Sequence, residues 1–287
     1  MAHVLGQNQY GKAETRVVRV TRQGERHTLR DLNVSVALSG DLDDVHLTGS
    51  NANCLPTDTA KNTVYAFAKR HGVTAPEPFA ALLARHFVEA TAPVRHARIR
   101  VEEYAWHRVG EGGHSFVRDG SEVRTAEVVH DGTGLQVVSG LKDLVVMNTT
   151  DSEFWGYLKD RYTTLKEAYD RILATEVTAR WAYGAEHPQD WDAAYAAVRG
   201  HLLAAFAETY SYSLQQTLYA MGSRVLDGVP EVAEVRLSLP NKHHFLVDLE
   251  PLGLKNDNEV YFAADRPYGL IEGTVLREGA SAVIPVD

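Results

Sequence analysis

The order of strands and helices repeats once along the 287-residue chain, and this repeat limits the folds that the chain can adopt. Two segments of alternating apolar and polar residues precede two segments with apolar residues at helical spacing, and two more alternating segments follow. The same order returns from Gly134. The sequence therefore predicts an α+β fold of two ββααββ units, residues 1–133 and 134–287. Each unit would be an antiparallel sheet with its helices on one face, and its free edges favour closure by partner subunits.

The first predicted unit contains four strands and two helices, separated by polar or glycine-rich turns. The strands are predicted at residues 12–22, at a segment in which Leu32, Val34, Val36 and Leu38 alternate with polar residues, and at residues 94–107 and 115–129. An acidic turn is predicted at residues 41–44, and helices are predicted from Thr57 and over residues 76–90.

The second predicted unit has the same order of elements. Strands are predicted at residues 135–147, 175–183, 232–249 and 259–275, and helices at residues 190–211 and 213–226. Thr150 and Glu153 have the spacing of a capping box, so a brief helical insertion is predicted at residues 152–160.

The strand predicted at residues 232–249 is interrupted by the polar sequence Pro-Asn-Lys-His-His at residues 240–244. The alternation keeps its parity across this interruption, so Asn241 and His243 are predicted to point to the same side as the apolar residues. Pro240 cannot donate a ladder hydrogen bond, which indicates an edge position or a bulge. A polar amide and an imidazole on an apolar face require a polar partner there, or else mark a strand end.

Composition excludes several classes of protein. The chain has 29 basic and 38 acidic residues and a formal net charge of −9, which argues against a broad nucleic-acid surface but leaves room for a local positive pocket. Cys54 is the only cysteine, so an internal disulfide and a cysteine zinc site are excluded. No signal-peptide pattern, apolar run of membrane-spanning length or peroxisomal C-terminal tripeptide is present, and a cytoplasmic location is the expectation.

Motifs of common catalytic classes are absent from the sequence. The 13 histidines include no His-Glu-x-x-His pair, and neighbouring His243 and His244 point to opposite faces of a strand, so no metal site is expected. No Gly-x-Ser-x-Gly elbow, dinucleotide fingerprint or phosphate loop occurs. The glycines at residues 110–113 are typical of a hairpin loop.

Several polar residues lie close to the predicted starts of elements, and each has a structural as well as a functional interpretation. Lys12 is either a solvated edge charge or a base, and Thr57 and Asp58 either cap a helix or present a hydroxyl and backbone N–H groups to an anion. Arg171 precedes a strand and Gln215 opens a helix, where polar residues are ordinary. The residues alone leave these alternatives open.

The chain resembles the urate oxidase (uricase) family in stretches that span nearly its whole length in family order. These stretches are YGK at 10–12, PTDTAKNT at 56–63, GLKDL at 140–144, FWGYL at 154–158, YTTL at 162–165, DRILAT at 170–175, SLQQTLY at 213–219 and PNKH at 240–243. The resemblance implies the tunnelling fold, with two tandem ββααββ units in a homotetramer whose active sites lie at subunit interfaces. It also implies oxidation of urate by O2 and water to 5-hydroxyisourate and hydrogen peroxide, without a metal or organic cofactor.

The resemblance further implies how the substrate is bound. Arg171 would pair with the pyrimidine side of the urate anion, and Gln215 and the backbone N–H of Leu214 would assist it. Phe154 would stack on the purine. Thr57 and the backbone of Asp58 would reach the imidazole side from a neighbouring subunit.

The implied chemistry uses a proton relay and an oxygen site. Lys12 and Thr57 would abstract a proton, and His243 would support the relay. Asn241, with Thr57, would hold O2 and later the attacking water. Leu214 stands where valine is often found, and His244 beside His243 leaves the identity of the relay histidine open, although strand parity favours His243.

Two rival functions remain at this point. One is a pterin- or purine-processing enzyme on the same fold, such as a cyclohydrolase or an aldolase, and those that use zinc would need a triad of ligands that the sequence lacks. The other is an inactive purine-binding homologue in which Arg171 and Gln215 bind the ligand but Lys12 and Thr57 do no chemistry.

Overall fold

A computed structural model describes residues 3–286, apart from the side chain of residue 265. The chain forms two compact units, Met1–Gly140 and Leu141–Asp287. Among the described residues, none of the helices has both the length and the apolar character needed to span a lipid bilayer. Both units show the predicted order of two strands, two long helices and two strands, with one additional short helix in the first, so the repeat read from the sequence is confirmed.

The first unit has four antiparallel strands in the order β1–β2–β3–β4. Their bounds are β1 Tyr10–Gln23, β2 Arg26–Gly40, β3 Val94–Arg108 and β4 Phe116–His130. The helices between β2 and β3 are α1 Asp43–Leu47, α2 Thr57–His71 and α3 Pro76–Ala90.

The second unit repeats this arrangement with its strands in the order β5–β6–β7–β8, of which β5 begins in the last residues of the first unit. The bounds are β5 Leu135–Asn148, β6 Leu173–Tyr183, β7 Val232–Leu246 and β8 Tyr261–Leu276. Helices α4 Trp191–Glu208 and α5 Leu214–Gly228 connect β6 to β7, and a single 3-10 turn, Glu250–Leu252, precedes β8.

The core of the first unit forms because one face of the sheet is apolar. On β2, Leu32, Val34, Val36 and Leu38 are all at most 3% exposed, as their alternation predicts. Helices α2 and α3 cover this face with the side chains of Ala60, Val64, Ala68, Phe79, Leu83 and Phe87, which are equally buried. Each fully buried valine, leucine or phenylalanine of this set contributes about 1.5–3 kcal/mol through removal of apolar surface from water.

The core of the second unit has the same construction around one large aromatic residue. Trp181 on β6 is fully buried, and its indole N–H donates to the hydroxyl of Tyr183 at 3.0 Å. Helix α4 contributes a predicted stripe that includes Val198, Leu202 and Phe206. This core holds β6, β7 and the start of α5 in fixed positions, and these elements carry most of the candidate site.

The helical insertion predicted at residues 152–160 is wrong. The segment is irregular, with isolated bridges from Ser152 to Ser211 and from Phe154 to Ala168. Glu153 does not close a capping box, because its carboxylate accepts hydrogen bonds from the side chains of Tyr210 and Trp155. The neighbouring Trp155 and the distant Tyr210 therefore replace the local cap that the spacing indicated.

Two smaller predictions also need correction. The acidic turn predicted at residues 41–44 runs into the one-turn helix Asp43–Leu47. Pro240 does not lie on an edge strand, because β7 pairs with both β6 and β8. The predicted bulge is present: the β7–β8 register shifts between Asn241 and His243, where β8 carries the additional residues.

Helix α4 offers a direct test of the local interactions that stabilise the second unit. Asp190 is its N-cap, and its carboxylate accepts backbone N–H bonds from Asp192 and Ala193, each at 3.0 Å. We expect Asp190→Ala to lower the free energy of unfolding by about 1 kcal/mol, because two N–H groups lose their partner. Urea unfolding measures the change. Asp190→Ser keeps a capping oxygen and should retain most of the wild-type free energy of unfolding. An equal loss in both variants would contradict the capping role.

Candidate active site

Lys12 lies at an irregularity in β1 that sets the direction of its side chain. The β1–β2 register shifts between Lys12 and Thr15, and the intervening Glu14 has a φ of 55°. Gly11 is required immediately before it, since a Cβ there would lie 1.8 Å from the carbonyl oxygen of Val36. A bulge re-aims the side chains beside it, so the local backbone and not a regular strand presents the ammonium group of Lys12.

Thr57 and Asp58 form the uncapped first turn of α2. Pro56 occupies the N-cap position and no side chain caps the helix, so Thr57 does not have the N-capping role that its position favoured. The carboxylate of Asp58 accepts from Lys61 at 2.5 Å and from Asn62 at 2.9 Å. Within the described residues the Thr57 hydroxyl makes no hydrogen bond and no side chain caps the first backbone N–H groups of α2, so both are available to a ligand.

Lys12 and Asp58 lie near each other in the first unit. The hydrogen bond and charge of Lys61 lower the pKa of the Asp58 carboxyl, and the positive charge of Lys12 adds to the effect. The carboxylate of Asp58 is therefore ionised, and its oxygens are already bonded to the side chains of Lys61 and Asn62. Its backbone, rather than its carboxylate, is the group left to meet an anionic ligand.

Arg171, Phe154 and Ser152 form a cluster in the second unit. The Nε of Arg171 donates to the hydroxyl of fully buried Ser152 at 3.2 Å, and its Cζ lies 5.3 Å from the centre of the Phe154 ring. Within residues 3–286 this half-buried guanidinium has no carboxylate partner, and burial lowers the pKa of Arg171. A cation in such surroundings is costly unless an anion meets it.

The aromatic side of this cluster is held by the irregular segment that precedes β6. Backbone hydrogen bonds of 2.8 and 2.9 Å join Phe154 to Ala168 in both directions. Tyr157 stacks on Phe154 with ring centres 4.9 Å apart and an interplanar angle of 13°. Phe154 is thus fixed in orientation next to a cation, which suits a flat, electron-rich anion.

The start of α5 supplies hydrogen-bond donors in the same unit. Ser213 is the N-cap, and its hydroxyl accepts from the backbone N–H of Gln216 at 3.1 Å. The backbone N–H groups of Leu214 and Gln215 come directly after the cap, where a helix leaves its donors without an internal partner. The exposed side chain of Gln215 makes no hydrogen bond within the described chain.

Strand β7 presents Asn241 and His243 from the same side and Lys242 from the other. Lys242 forms an ion pair with Glu176 of β6 at 2.6 Å. His243 stacks on Phe245, and its next neighbour His244 contacts the carbonyl oxygen of Lys242 through Nδ1 at 2.9 Å. Asn241, which is half-buried, makes no side-chain hydrogen bond within the described residues.

His243 and Arg171 lie near enough for their charges to interact. Burial lowers the pKa of His243, and the positive charges of Arg171 and then His244 lower it further. Because an ordinary histidine has a pKa of about 6.5, His243 is neutral at pH 7. Just below pH 6.5 the unfolded chain binds more protons at this position than the folded chain does, so the contribution of His243 disfavours the folded state as the pH falls.

The charge interaction can be tested by titration. We expect Arg171→Ala to raise the pKa of His243, because the substitution removes a neighbouring positive charge and admits water. NMR of the imidazole ring proton against pH measures the shift, with His243→Gln to assign the resonance and the other histidines as internal controls. An unchanged or lower pKa of His243 would show that the two side chains do not interact.

The structure therefore places the predicted residues in two groups, one in each unit. Lys12, Thr57 and Asp58 lie in the first, and the second contains Phe154, Arg171, Leu214, Gln215, Asn241 and His243. Sequence reasoning missed Ser152 and Tyr157, which hold two residues of the second group, because their segment has no periodic pattern. In the described part of the chain, no three or more histidine, cysteine or acidic side chains are grouped so that they could hold a metal ion.

Known uricases match this chain over nearly its whole length. The family model described as Uricase matches residues 8–129 and 137–272. A uricase from Arthrobacter globiformis is 53% identical over 283 residues, covering 99% of this chain and 93% of the relative. A uricase from Danio rerio is 39% identical over 279 residues, covering 94% and 93%.

Solved structures give the same result. The crystal structure of the uricase from Arthrobacter globiformis superposes with a TM-score of 0.96 at 52% identity, covering 99% of each chain. A urate oxidase from Bacillus sp. TB-90, at 22% identity, superposes with a TM-score of 0.80 over 94% of this chain and all of that one, which supports the fold alone. The fold, the two-unit repeat and the sequence matches together show that this chain belongs to the uricase family.

Proposed function

We propose that this chain is a urate oxidase that converts urate, O2 and water to 5-hydroxyisourate and hydrogen peroxide, with no metal or organic cofactor. The observation that carries the proposal is the guanidinium of Arg171. It is half-buried, bonded to a neutral hydroxyl, without a carboxylate partner in the described chain, and beside the ring of Phe154. A flat oxygen-rich anion such as urate satisfies both the charge and the aromatic face.

The reaction requires little chemistry from the protein beyond proton removal and positioning. Ground-state O2 reacts poorly with closed-shell molecules, but an electron-rich urate dianion can donate an electron to it. Two electrons and two protons in all convert O2 to hydrogen peroxide, and water adds to the oxidised ring with loss of a proton. The chain therefore needs a base, an anion clamp and a place for O2.

The second unit supplies the proposed anion clamp. The two terminal N–H2 groups of Arg171 face the pyrimidine side of urate, while Nε stays with Ser152. The Gln215 side chain and the backbone N–H of Leu214 bind the same edge, and Phe154 stacks on the ring. The departure from valine at Leu214 is without consequence here, because the backbone makes the contact.

The proposed base is Lys12 acting through the hydroxyl of Thr57, with neutral His243 accepting and returning the proton. A neutral imidazole is the form that can accept, and the lowered pKa of His243 favours that form. Asn241 has a free amide on the same side of β7, and with Thr57 it would hold O2 and later the attacking water. The backbone of Asp58 at the start of α2 would bind the imidazole side of urate.

We also propose that the chain assembles as a homotetramer in which each site takes Lys12, Thr57 and Asp58 from a subunit next to the one that provides Arg171. Exposed apolar side chains on the segment before β6 support assembly, since Leu158 is 95% and Tyr162 is 72% exposed. The proposal includes a cytoplasmic location and no nucleic-acid or membrane partner.

One assay separates this function from its rivals. Chelator-treated protein is mixed with urate in aerated buffer, and the loss of urate absorbance and the release of peroxide are followed together. We expect both signals in a one-to-one ratio and neither under nitrogen. Tight urate binding without turnover would indicate an inactive purine-binding homologue, and no binding would overturn the proposal.

A further inference from the structure

Ser152 is a fully buried serine at the junction of the segments that carry the proposed urate ligands. Its carbonyl oxygen accepts the backbone N–H of Arg171 at 2.9 Å, and its hydroxyl accepts Nε of the same residue at 3.2 Å. Both the backbone and the side chain of Arg171 are therefore attached to a single residue. The backbone bond places the residue, and the Nε bond restricts the direction of a long side chain that otherwise has several rotatable bonds.

The backbone on either side of Ser152 is bonded to the segment before α5. Ser152 and Ser211 form a parallel bridge, in which Glu153 N–H donates to the Ser211 carbonyl at 2.7 Å and Ser211 N–H donates to the Asp151 carbonyl at 2.9 Å. Buried Ser211 then accepts from the hydroxyl of Thr217 at 2.8 Å. The contacts of Arg171 with Ser152 and the bonds of the flanking Asp151 and Glu153 with Ser211 thus link Arg171 to the first turns of α5.

This chain of contacts ends at the cap of the helix that carries Gln215. The Thr217 hydroxyl also lies 3.2 Å from the carbonyl oxygen of Ser213, and the Ser211 hydroxyl contacts the same oxygen at 3.2 Å. Ser213, Ser211 and Thr217 hold the start of α5 in one position relative to Ser152. The spacing between the guanidinium of Arg171 and the N–H groups of α5 is set by this network.

The Ser152 hydroxyl can orient the guanidinium of Arg171 without neutralising its charge. A carboxylate at position 152 would pair with the guanidinium and occupy the charge that an anion needs. A serine hydroxyl accepts only the Nε–H bond and leaves the two terminal N–H2 groups of the planar fork for a second, anionic partner. Removing the hydroxyl keeps the charge of Arg171, but the guanidinium is then no longer oriented by a hydrogen bond to its Nε.

We infer that Ser152 is a positioning residue for Arg171, and that it sets the affinity for the planar substrate anion by aiming the guanidinium at it. The inference rests on the proposed function. Ser152 acts only through Arg171 and does not touch the substrate itself. Its substitution therefore changes the affinity for urate when Arg171 is present and not when Arg171 is absent.

A double-mutant cycle tests this dependence. Urate binding is measured by equilibrium dialysis under nitrogen, where no turnover occurs, for the wild type, Ser152→Ala, Arg171→Ala and the double variant. We expect Ser152→Ala to raise the Kd for urate about tenfold when Arg171 is present. In the Arg171→Ala background the same substitution should raise it less than twofold. In aerated buffer Ser152→Ala should raise KM by a similar factor, with kcat within about threefold of the wild type.

Control variants separate positioning from general stability. Ser139→Ala removes another buried serine hydroxyl, which donates to Glu77 in the first unit, and should leave the Kd for urate unchanged. Ser152→Thr keeps the hydroxyl and should bind within about threefold of the wild type. Should Ser152→Ala not fold, Ser152→Cys, which keeps a heavy atom in place of the hydroxyl oxygen but accepts hydrogen bonds weakly, replaces it in the cycle.

The outcomes of the cycle are distinct. Equal rises in Kd with and without Arg171, or no rise in either background, would overturn the positioning role while leaving the proposed function intact. A wild-type protein that binds no urate under nitrogen would overturn the proposed function itself. A loss of kcat at unchanged KM would place Ser152 in a different role from the one inferred.

Discussion

Lys12→Met should lower kcat for urate about 10²- to 10⁴-fold, because general-base catalysis contributes a factor of this size and methionine has no proton acceptor. Methionine keeps the unbranched stem of lysine, so the bulge in β1 between residues 12 and 15 should persist. The proposed anion clamp lies in the other unit of the chain and retains its contacts. We therefore expect the Kd for urate, measured under nitrogen, to stay within about threefold of the wild type.

The comparison of kcat with Kd is what identifies the base. Lys242→Met is the matched control, since Lys242 is another half-buried lysine on a strand but forms an ion pair with Glu176 on the side of β7 away from Asn241. It should leave kcat within about twofold of the wild type. If Lys12→Met weakened binding as much as turnover, Lys12 would bind the substrate and not remove its proton.

Arg171→Ala should raise the Kd for urate about 10²- to 10³-fold. Truncating one partner of a buried, hydrogen-bonded charge pair costs about 2–5 kcal/mol, and each 1.4 kcal/mol is a factor of ten in affinity. The effect is large because the guanidinium has no carboxylate partner in the described chain and meets its anion only in the complex. Anaerobic equilibrium dialysis with urate measures the change.

Two further variants show whether charge or shape carries the affinity. Arg171→Lys keeps the charge but loses the planar fork and the Nε contact with Ser152, so its Kd should lie between the wild type and Arg171→Ala. Arg224→Ala removes an exposed arginine that pairs with Glu208 and should leave the Kd unchanged. An Arg171→Ala protein with wild-type affinity would contradict the anion clamp.

Patterns of apolar residues predicted the regular elements closely because these elements are half-buried. The helix predicted at residues 76–90 matches α3, Pro76–Ala90, and Ala97, Ile99 and Val101 point inward on β3 as expected. The residues that face the core recur at the period of the strand or helix and must be apolar. The pattern of neighbouring residues is therefore enough to locate these elements. The order ββααββ follows from the same patterns.

Local patterns failed where distant parts of the unit determine the conformation. Thr150 and Glu153 have the spacing of a capping box, but Thr150 bonds to Asp170 and Glu153 accepts from Tyr210. Pro240 indicated an edge position or a bulge, and only the pairing of β7 with both β6 and β8 shows that it lies inside the sheet, close to a register shift. In both places a tertiary contact is stronger than the preference of the segment alone.

The sequence by itself determined the repeated fold, and it named the candidate residues through their resemblance to a family. Only the tertiary structure showed that the Nε of Arg171 is held by the buried hydroxyl of Ser152, and that a hydrogen-bonded network joins this serine to the start of α5. The physical reason is that burial and alternation are properties of neighbouring residues, whereas the direction of a guanidinium depends on partners brought together by folding.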